Sequence, residues 1–272
     1  MSLRAPLPPG VTDCRARIRG GNIHYLAAES GPPLLLLHSL GTSSRAWLKV
    51  METLSRHFAV YAIDMLGHGA SDKPKRDYKI EDYARNVVNF MDVLGIRRAD
   101  IVGNSVGAQV TVEAAAIYPR RVNRVVLAGL PCAETAKERV ERWKLAKGQL
   151  DETGMPKPRT LEDLAQTYAH PSEELLDWVN LERGKAGPWV GKTLAAVWTH
   201  DTIHKLPQIT CPSLVVYGDK DALAVKAEVV SKAIERSRLV IIPDAGHLPQ
   251  MDEPSAFASA VMEFLKAPSP RA

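Results

Sequence analysis

The sequence predicts an α/β fold: a doubly wound, mostly parallel sheet interrupted by a helical insertion. Three observations carry this reading. Short apolar runs alternate with longer segments of helical spacing along most of the 272 residues. The run Pro33-Leu34-Leu35-Leu36-Leu37 is continuously apolar, as a strand covered on both faces must be. The alternation breaks once, between Cys132 and about His204, where charged helix-forming segments replace strands.

Taken in order, residues 12–28 alternate in polarity and read as two strands turning at Gly20-Gly21. The strand at 33–38 follows, and further apolar runs predict strands near 58–63, 99–103, 123–129, 213–218 and 238–242. Helices are expected near 44–55, 79–94, 105–118, 222–236 and 254–266. The break reads as a helical cap at 132–204 inserted into a core made of 1–131 and 205–272. The cap holds four of the five tryptophans, Trp143, Trp178, Trp189 and Trp198, with Tyr168 beside them. Burial of the cap against the core would account for such rings as readily as a pocket would. The proline-rich ends are expected to fray.

Composition excludes several classes. The 35 Lys and Arg against 31 Asp and Glu give a net charge of +4, and the basic residues are scattered among acids, so no nucleic-acid partner is expected. Arg120, Arg121 and Arg124, the densest basic group, read as a solvated turn before a strand. Three widely spaced cysteines, Cys14, Cys132 and Cys211, without a C-x-x-C, suit a reducing compartment. Residues 1–10 lack the apolar core of a secretory signal, and no run approaches the roughly 18 apolar residues of a membrane span. The expectation is a cytoplasmic protein without a membrane partner. Its oligomeric state stays open.

The chemistry concentrates in Ile101-Val102-Gly103-Asn104-Ser105-Val106-Gly107-Ala108, an apolar strand ending in G-x-S-x-G and running into small helix-forming residues. A serine hydroxyl is a poor nucleophile unless a base reaches it, and a sharp strand-to-helix turn lifts it clear of the backbone. A helix N-cap would also place a serine here, but it explains neither flanking glycine. Upstream, Leu37-His38-Ser39-Leu40-Gly41 and Ile63-Asp64-Met65-Leu66-Gly67-His68-Gly69 are strand ends followed by glycine-containing loops. Downstream, Gly218-Asp219-Lys220-Asp221 and Pro243-Asp244-Ala245-Gly246-His247 follow strands and supply carboxylates and a histidine.

With its order of Ser, Asp and His, the chain resembles the α/β-hydrolase family over roughly residues 20–266. The resemblance implies that Ser105 is the nucleophile, His247 the general base and Asp221, three residues after Gly218, the acid that orients it. By chemistry alone, Asp219 and Asp221 both qualify. The oxyanion would face the backbone N–H groups of Val106 and Leu40. Where the family usually has His-Gly, this chain has His38-Ser39, so Ser39 is expected to place a hydroxyl near the pocket, along with Trp143, Trp189 and Trp198 from the cap. His38 and His68 are expected to shape turns.

His200 and His204 are spaced i, i+4, but no third ligand accompanies them and no metal is expected. Without G-x-G-x-x-G or G-x-x-x-x-G-K-[ST], no cofactor is expected either. The implied activity is hydrolysis of a small, largely apolar carboxylic ester or lactone through an acyl-enzyme. Enzymes similar to this one also hydrolyse enol-lactones or carbon-carbon bonds of ring-cleavage products, some act as lyases or cofactor-free peroxidases, and some members are ligand receptors with little turnover. An acidic substrate would need a cation in the pocket, for which Arg45, just after the oxyanion loop, is the sequence candidate, with surface exposure as the plainer alternative.

Overall fold

The computed structural model describes residues 6–28 and 30–267; of the proline-rich ends expected to fray, Pro6, Pro8 and Pro9 lie within the described residues and Pro268 and Pro270 outside them. The strands are β1 (Thr12–Ile18), β2 (Gly21–Ala28), β3 (Pro33–Leu37), β4 (Ala59–Ile63), β5 (Ala99–Asn104), β6 (Val122–Ala128), β7 (Ser213–Gly218) and β8 (Ser237–Ile242). They form one sheet in the order β1-β2-β4-β3-β5-β6-β7-β8. The first two pairings, β1 with β2 and β2 with β4, are antiparallel, and all the others are parallel.

Side chains alternate across a strand, so β3 feeds two cores at once. Leu35 and Leu37 join Phe90 and Met91 of helix α2 (Ile80–Val93) and Val110 and Ala114 of α3 (Val106–Ile117). Leu34 and Leu36 face the other way, onto Met51 of α1 (Leu48–Ser55) and onto Phe257 and Val261 of α10 (Pro254–Lys266). All four leucines are fully buried, each contributing roughly 1.5–3 kcal/mol of transfer free energy. This is the two-sided burial that the unbroken apolar run implies.

The order β4-β3-β5 locates the site. From β3 the chain first builds β4 on one side and then returns to place β5 on the other. The loops after β3 and β5 therefore diverge, leaving a crevice at the carboxyl ends of these strands.

Between β6 and β7 the chain forms α4 (Ala136–Lys147), α5 (Leu161–Ala165), α6 (Glu173–Ala186) and α7 (Trp189–Thr199). Their starts are written in hydroxyls: Thr135, Thr160 and Ser172 each accept a backbone N–H of the first turn. Gly187, at φ +55°, ends α6. Leu164, Tyr168, Trp178 and Val179 pack with Leu248 and Met251, tying α5 and α6 to the segment after β8, where α9 (Pro249–Asp252) lies.

One expected helix is much shorter than the spacing suggests. In place of 222–236 there is a 3-10 turn at Ala224–Lys226 and α8 over Ala227–Lys232 alone. The Ser237 hydroxyl donates to the Ser231 carbonyl (2.7 Å), occupying an acceptor near the helix end. Among the described residues no helix is long and apolar enough to cross a membrane. The three cysteines are free thiols.

Candidate active site

Ser105 stands at the junction of β5 and α3 with φ +57° and ψ −119°, a conformation that an L-residue holds only when its surroundings enforce it. Its N–H donates to the Ala128 carbonyl (2.9 Å), and its own carbonyl accepts from Ala108 (2.9 Å) and Gln109 (3.2 Å). The glycines are obligatory for a packing reason. A Cβ on Gly103 would lie 2.2 Å from the Gly107 carbonyl oxygen, and one on Gly107 would lie 2.2 Å from that of Leu37. Val106 opens α3, so its N–H belongs to the first turn, where helix donors have no intrahelical acceptor.

The loop after β3 is fixed from below by two buried groups. His38 donates through Nδ1 to the Ser39 carbonyl (2.7 Å) and accepts the Met65 N–H at Nε2 (3.0 Å), which sets its tautomer. Asp64 accepts from Ser44 N–H (2.6 Å), Ala70 N–H (2.8 Å) and His24 Nδ1 (2.8 Å), joining the segment after β3, the loop after β4 and strand β2 through one carboxylate. Burial opposes its ionisation, but the His24 bond and the other donors outweigh burial and hold its pKa below the usual range. Sequence reasoning placed Asp64 in a motif without a role; this stapling is its role. His38 and His68 are both fully buried, and the His38 bonds to Ser39 and Met65 give it the turn-shaping part expected of it.

His247 donates through Nδ1 to Asp221 Oδ2 at 2.9 Å. The other carboxylate oxygen of Asp221 accepts the Leu223 N–H (2.9 Å), so the acid is held at both ends and buried. Asp219 is exposed and accepts the Ala245 N–H (3.3 Å), a loop-shaping contact. The histidine backbone is clamped as well: its N–H donates to the Thr167 carbonyl (2.7 Å), and its carbonyl accepts from Asn104 Nδ2 (2.9 Å). Gln250 donates to Asn104 in turn (3.3 Å). Asn104, beside Ser105 in sequence, thus couples the β5 turn to the histidine loop, a link that no motif announced.

Ser105 and His247 both line two cavities that meet there. One, of about 230 Å³, also takes in Ser39, Leu40, Asp221, Tyr168, Arg159 and Arg183. The other, of about 260 Å³, shares Leu40 and runs past Leu145, Leu194, Val197 and Trp198, with Arg142 among its lining residues. The site therefore has a cationic arm and a mostly apolar one.

The tryptophan expectation needs correction. Trp198 lines the apolar arm, but Trp143 and Trp189 line neither arm. Trp189 is buried on Gly67, whose Cβ would come within 2.4 Å of the indole, and meets Tyr78 edge-on at 5.4 Å. Trp143 is half-buried with Lys147 Nζ 5.1 Å from its ring centre. Helical spacing shows that a ring is buried, not what buries it. The expected cation Arg45 is half-buried and lines neither arm, whereas Arg183 and Arg159 do.

The two histidines considered as metal ligands part company because α7 ends at Thr199. His200 Nε2 contacts Glu113 (3.1 Å), while His204 Nδ1 contacts Asp201 (2.9 Å). Glu81, Glu113 and His200 bring ligand atoms within 4.8 Å of one another, but the Lys205 ammonium already neutralises Glu113 at 3.2 Å.

Comparison with known proteins agrees with this architecture. The family model described as alpha/beta hydrolase fold matches residues 32–254. The chain is 30% identical to the pimeloyl-[acyl-carrier protein] methyl ester esterase of Nitrosomonas europaea, covering 88% of this chain and 97% of that one. It is 29% identical to the 2-hydroxy-6-oxo-6-(2'-aminophenyl)hexa-2,4-dienoic acid hydrolase of Metapseudomonas resinovorans, covering 90% and 88%. The crystal structure of the enol-lactonase from Burkholderia xenovorans superposes with a TM-score of 0.78 at 26% identity, over 93% of this chain and all of the other. A match over most of the sheet and both of its flanking layers leaves one assignment: the chain belongs to the α/β-hydrolase fold family and is a hydrolase of that fold.

Proposed function

We propose that the protein hydrolyses a carboxylic ester through an acyl-enzyme formed on Ser105. The observation that carries this is the strained serine sharing one cavity with a histidine whose far nitrogen is anchored on a buried aspartate. Because Nδ1–H is committed to Asp221, Nε2 is the basic nitrogen. It takes the Ser105 proton as Oγ attacks the carbonyl carbon, and Asp221 stabilises the imidazolium. The Val106 and Leu40 N–H groups receive the negative charge on the carbonyl oxygen. Collapse expels the alcohol, which leaves with the proton from Nε2; a water then repeats the sequence and releases the acid. Residues 132–204 serve as a cap on the core made of 1–131 and 205–272, supplying Arg159, Arg183 and Trp198 to the pocket.

The relative named as a methyl ester esterase supports the ester reading. A second reading, hydrolysis of an enol-lactone or of a carbon-carbon bond in a ring-cleavage product, uses the same three residues and is favoured by the cationic arm, since such products are acids. The test is one panel of activated esters, lactones and ring-cleavage dienoates assayed on wild type and Ser105→Ala. Serine-dependent turnover of esters supports the first reading, and turnover confined to dienoates or lactones replaces it with the second. A single turnover per protein would make the chain a ligand receptor.

A further inference from the structure

Arg183 is buried to 5% exposure, yet its Nε and Nη2 have no hydrogen-bond partner among the described residues. A guanidinium is rarely fully buried unless paired, and burying it without an acceptor is among the most unfavourable placements a side chain can take. The neighbouring Glu182 does not relieve it. Successive residues on a helix point about 100° apart; Glu182 Oε1 is engaged with Lys185 Nζ at 2.6 Å, and Oε2, although buried without a partner among the described residues, does not reach the Arg183 guanidinium, whose Nε and Nη2 are equally unpartnered. Asp163 is occupied at the start of α5, accepting the Thr160 N–H.

A second guanidinium makes the placement worse. Arg159 lines the same arm, and its backbone is pinned by a reciprocal pair of bonds with Asn180 of α6 (2.7 and 3.0 Å). Burial, and after it the charge of Arg159, pushes the Arg183 guanidinium down to about 10, so it remains charged near neutrality. The Arg183 stem lies on Gly41, the residue after Leu40: a Cβ there would meet Arg183 Cγ at 2.9 Å. The oxyanion loop itself therefore fixes the arginine, on a backbone at φ +67°.

We infer that Arg183, assisted by Arg159, binds a carboxylate borne by the substrate, so that the favoured ester has one anionic half in this arm and one apolar half beside Trp198. A carboxylate entering the arm that Arg183 and Arg159 line supplies planar acceptors to the guanidinium groups and neutralises the repulsion between them. This rests on the ester reading only for its assay. Binding of the anion does not require Ser105 chemistry.

The test compares kcat/KM for 4-nitrophenyl hemiglutarate with 4-nitrophenyl valerate, and for 4-carboxyphenyl butyrate with phenyl butyrate, placing the charge on the acyl or the alcohol half. Wild type is expected to prefer the charged member of at least one pair. Arg183→Gln should lower that preference on the order of 10- to 100-fold, with Arg183→Lys intermediate. A preference for the neutral member in both pairs, or one unmoved in Arg183→Gln, overturns the inference. Calorimetric titration of wild type with glutarate, its neutral diamide and inorganic phosphate needs neither turnover nor a folded variant. Glutarate binding above the other two supports the inference, and equal or weaker binding overturns it. Failure of every ester with glutarate binding intact would refute the ester reading alone.

Discussion

Replacing Asp221 by asparagine tests the proposed assignment most sharply, because the structure specifies what the amide would do. Asp221 Oδ1 accepts the Leu223 N–H at 2.9 Å, and Oδ2 accepts from His247 Nδ1 at 2.9 Å. An asparagine keeping its oxygen on Leu223 turns its NH₂ toward Nδ1, which can then only accept. That forces the proton onto Nε2, the nitrogen that must receive the serine proton. The carboxylate charge is lost as well. At a charge separation of about 4 Å and an effective dielectric of about 20, its attraction to the imidazolium is about 4 kcal/mol, or roughly a thousandfold in rate. Asp221→Asn should therefore lower kcat/KM by about 10³ to 10⁴ at pH 7, the larger figure including the tautomer. Asp219→Asn should lose less than about tenfold, since that side chain is exposed and its oxygen can still accept from Ala245. Steady-state hydrolysis of an activated ester by both variants decides the matter. A larger loss from Asp219→Asn, or a loss under tenfold from Asp221→Asn, would refute the assignment.

Ser105→Ala should abolish turnover, by about 10⁴-fold or more, while the thermal midpoint stays nearly unchanged, and a serine-reactive phosphonate should label Ser105 in wild type; an adduct mapped to another serine refutes this. Gly107→Ala should destabilise the fold by roughly 3 kcal/mol or more, because its Cβ would lie 2.2 Å from the Leu37 carbonyl oxygen and 2.8 Å from that of His38, which are backbone atoms unable to swing away. A denaturation midpoint equal to wild type would contradict it. Acid should destabilise through His68, whose pKa burial lowers to about 3: the unfolded chain takes up this proton below about pH 6.5, so stability present at neutral pH is lost as pH falls from there. Between pH 6.5 and 5 the loss is roughly 2 kcal/mol. Burial pushes Asp100 up to about 6, which works in the opposite direction below that pH, so the informative measurement is the difference in pH slope between wild type and His68→Gln. Equal slopes would remove His68 from the account.

The sheet was legible because its signals are local. A continuous apolar run, a glycine-flanked serine and a carboxylate after a strand each specify one turn or one face, and parallel topology then brings the strand ends to one edge. The pocket lining was not legible, since it depends on how the inserted helices rotate over that edge. Trp189 and Trp198 lie in the same helix, nine residues apart, yet one packs on Gly67 and the other lines the cavity. Arg183 illustrates the same limit. In sequence it sits between Glu182 and Gly184, as an ordinary solvated arginine would, and nothing local says that its guanidinium will be buried without an acceptor. A cation for an acidic substrate was sought next to the oxyanion loop in sequence, at Arg45. The structure puts Arg183 against Gly41 of that loop, 142 residues away along the chain.

Three costly placements of this molecule lie at or beneath the candidate site. The positive φ of Ser105 and Arg183, whose Nε and Nη2 have no partner among the described residues, both border the crevice between β3 and β5, and the buried ring of His68 lies 5.3 Å from the His38 ring at the base of the loop after β3. Below them, the leucines of β3 are buried on both faces of the sheet and every parallel pairing from β4 to β8 is in place. Each strained feature costs on the order of 1–3 kcal/mol, comparable to what one buried leucine contributes, so the two-layered core holds them without a compensating contact at the site itself. Packing therefore does not explain why these groups are where they are. The strain at Ser105 stands at a cavity that His247 also lines, and Arg183 brings a buried positive charge to the lining of that same cavity. A site selected only for stability would have relaxed both.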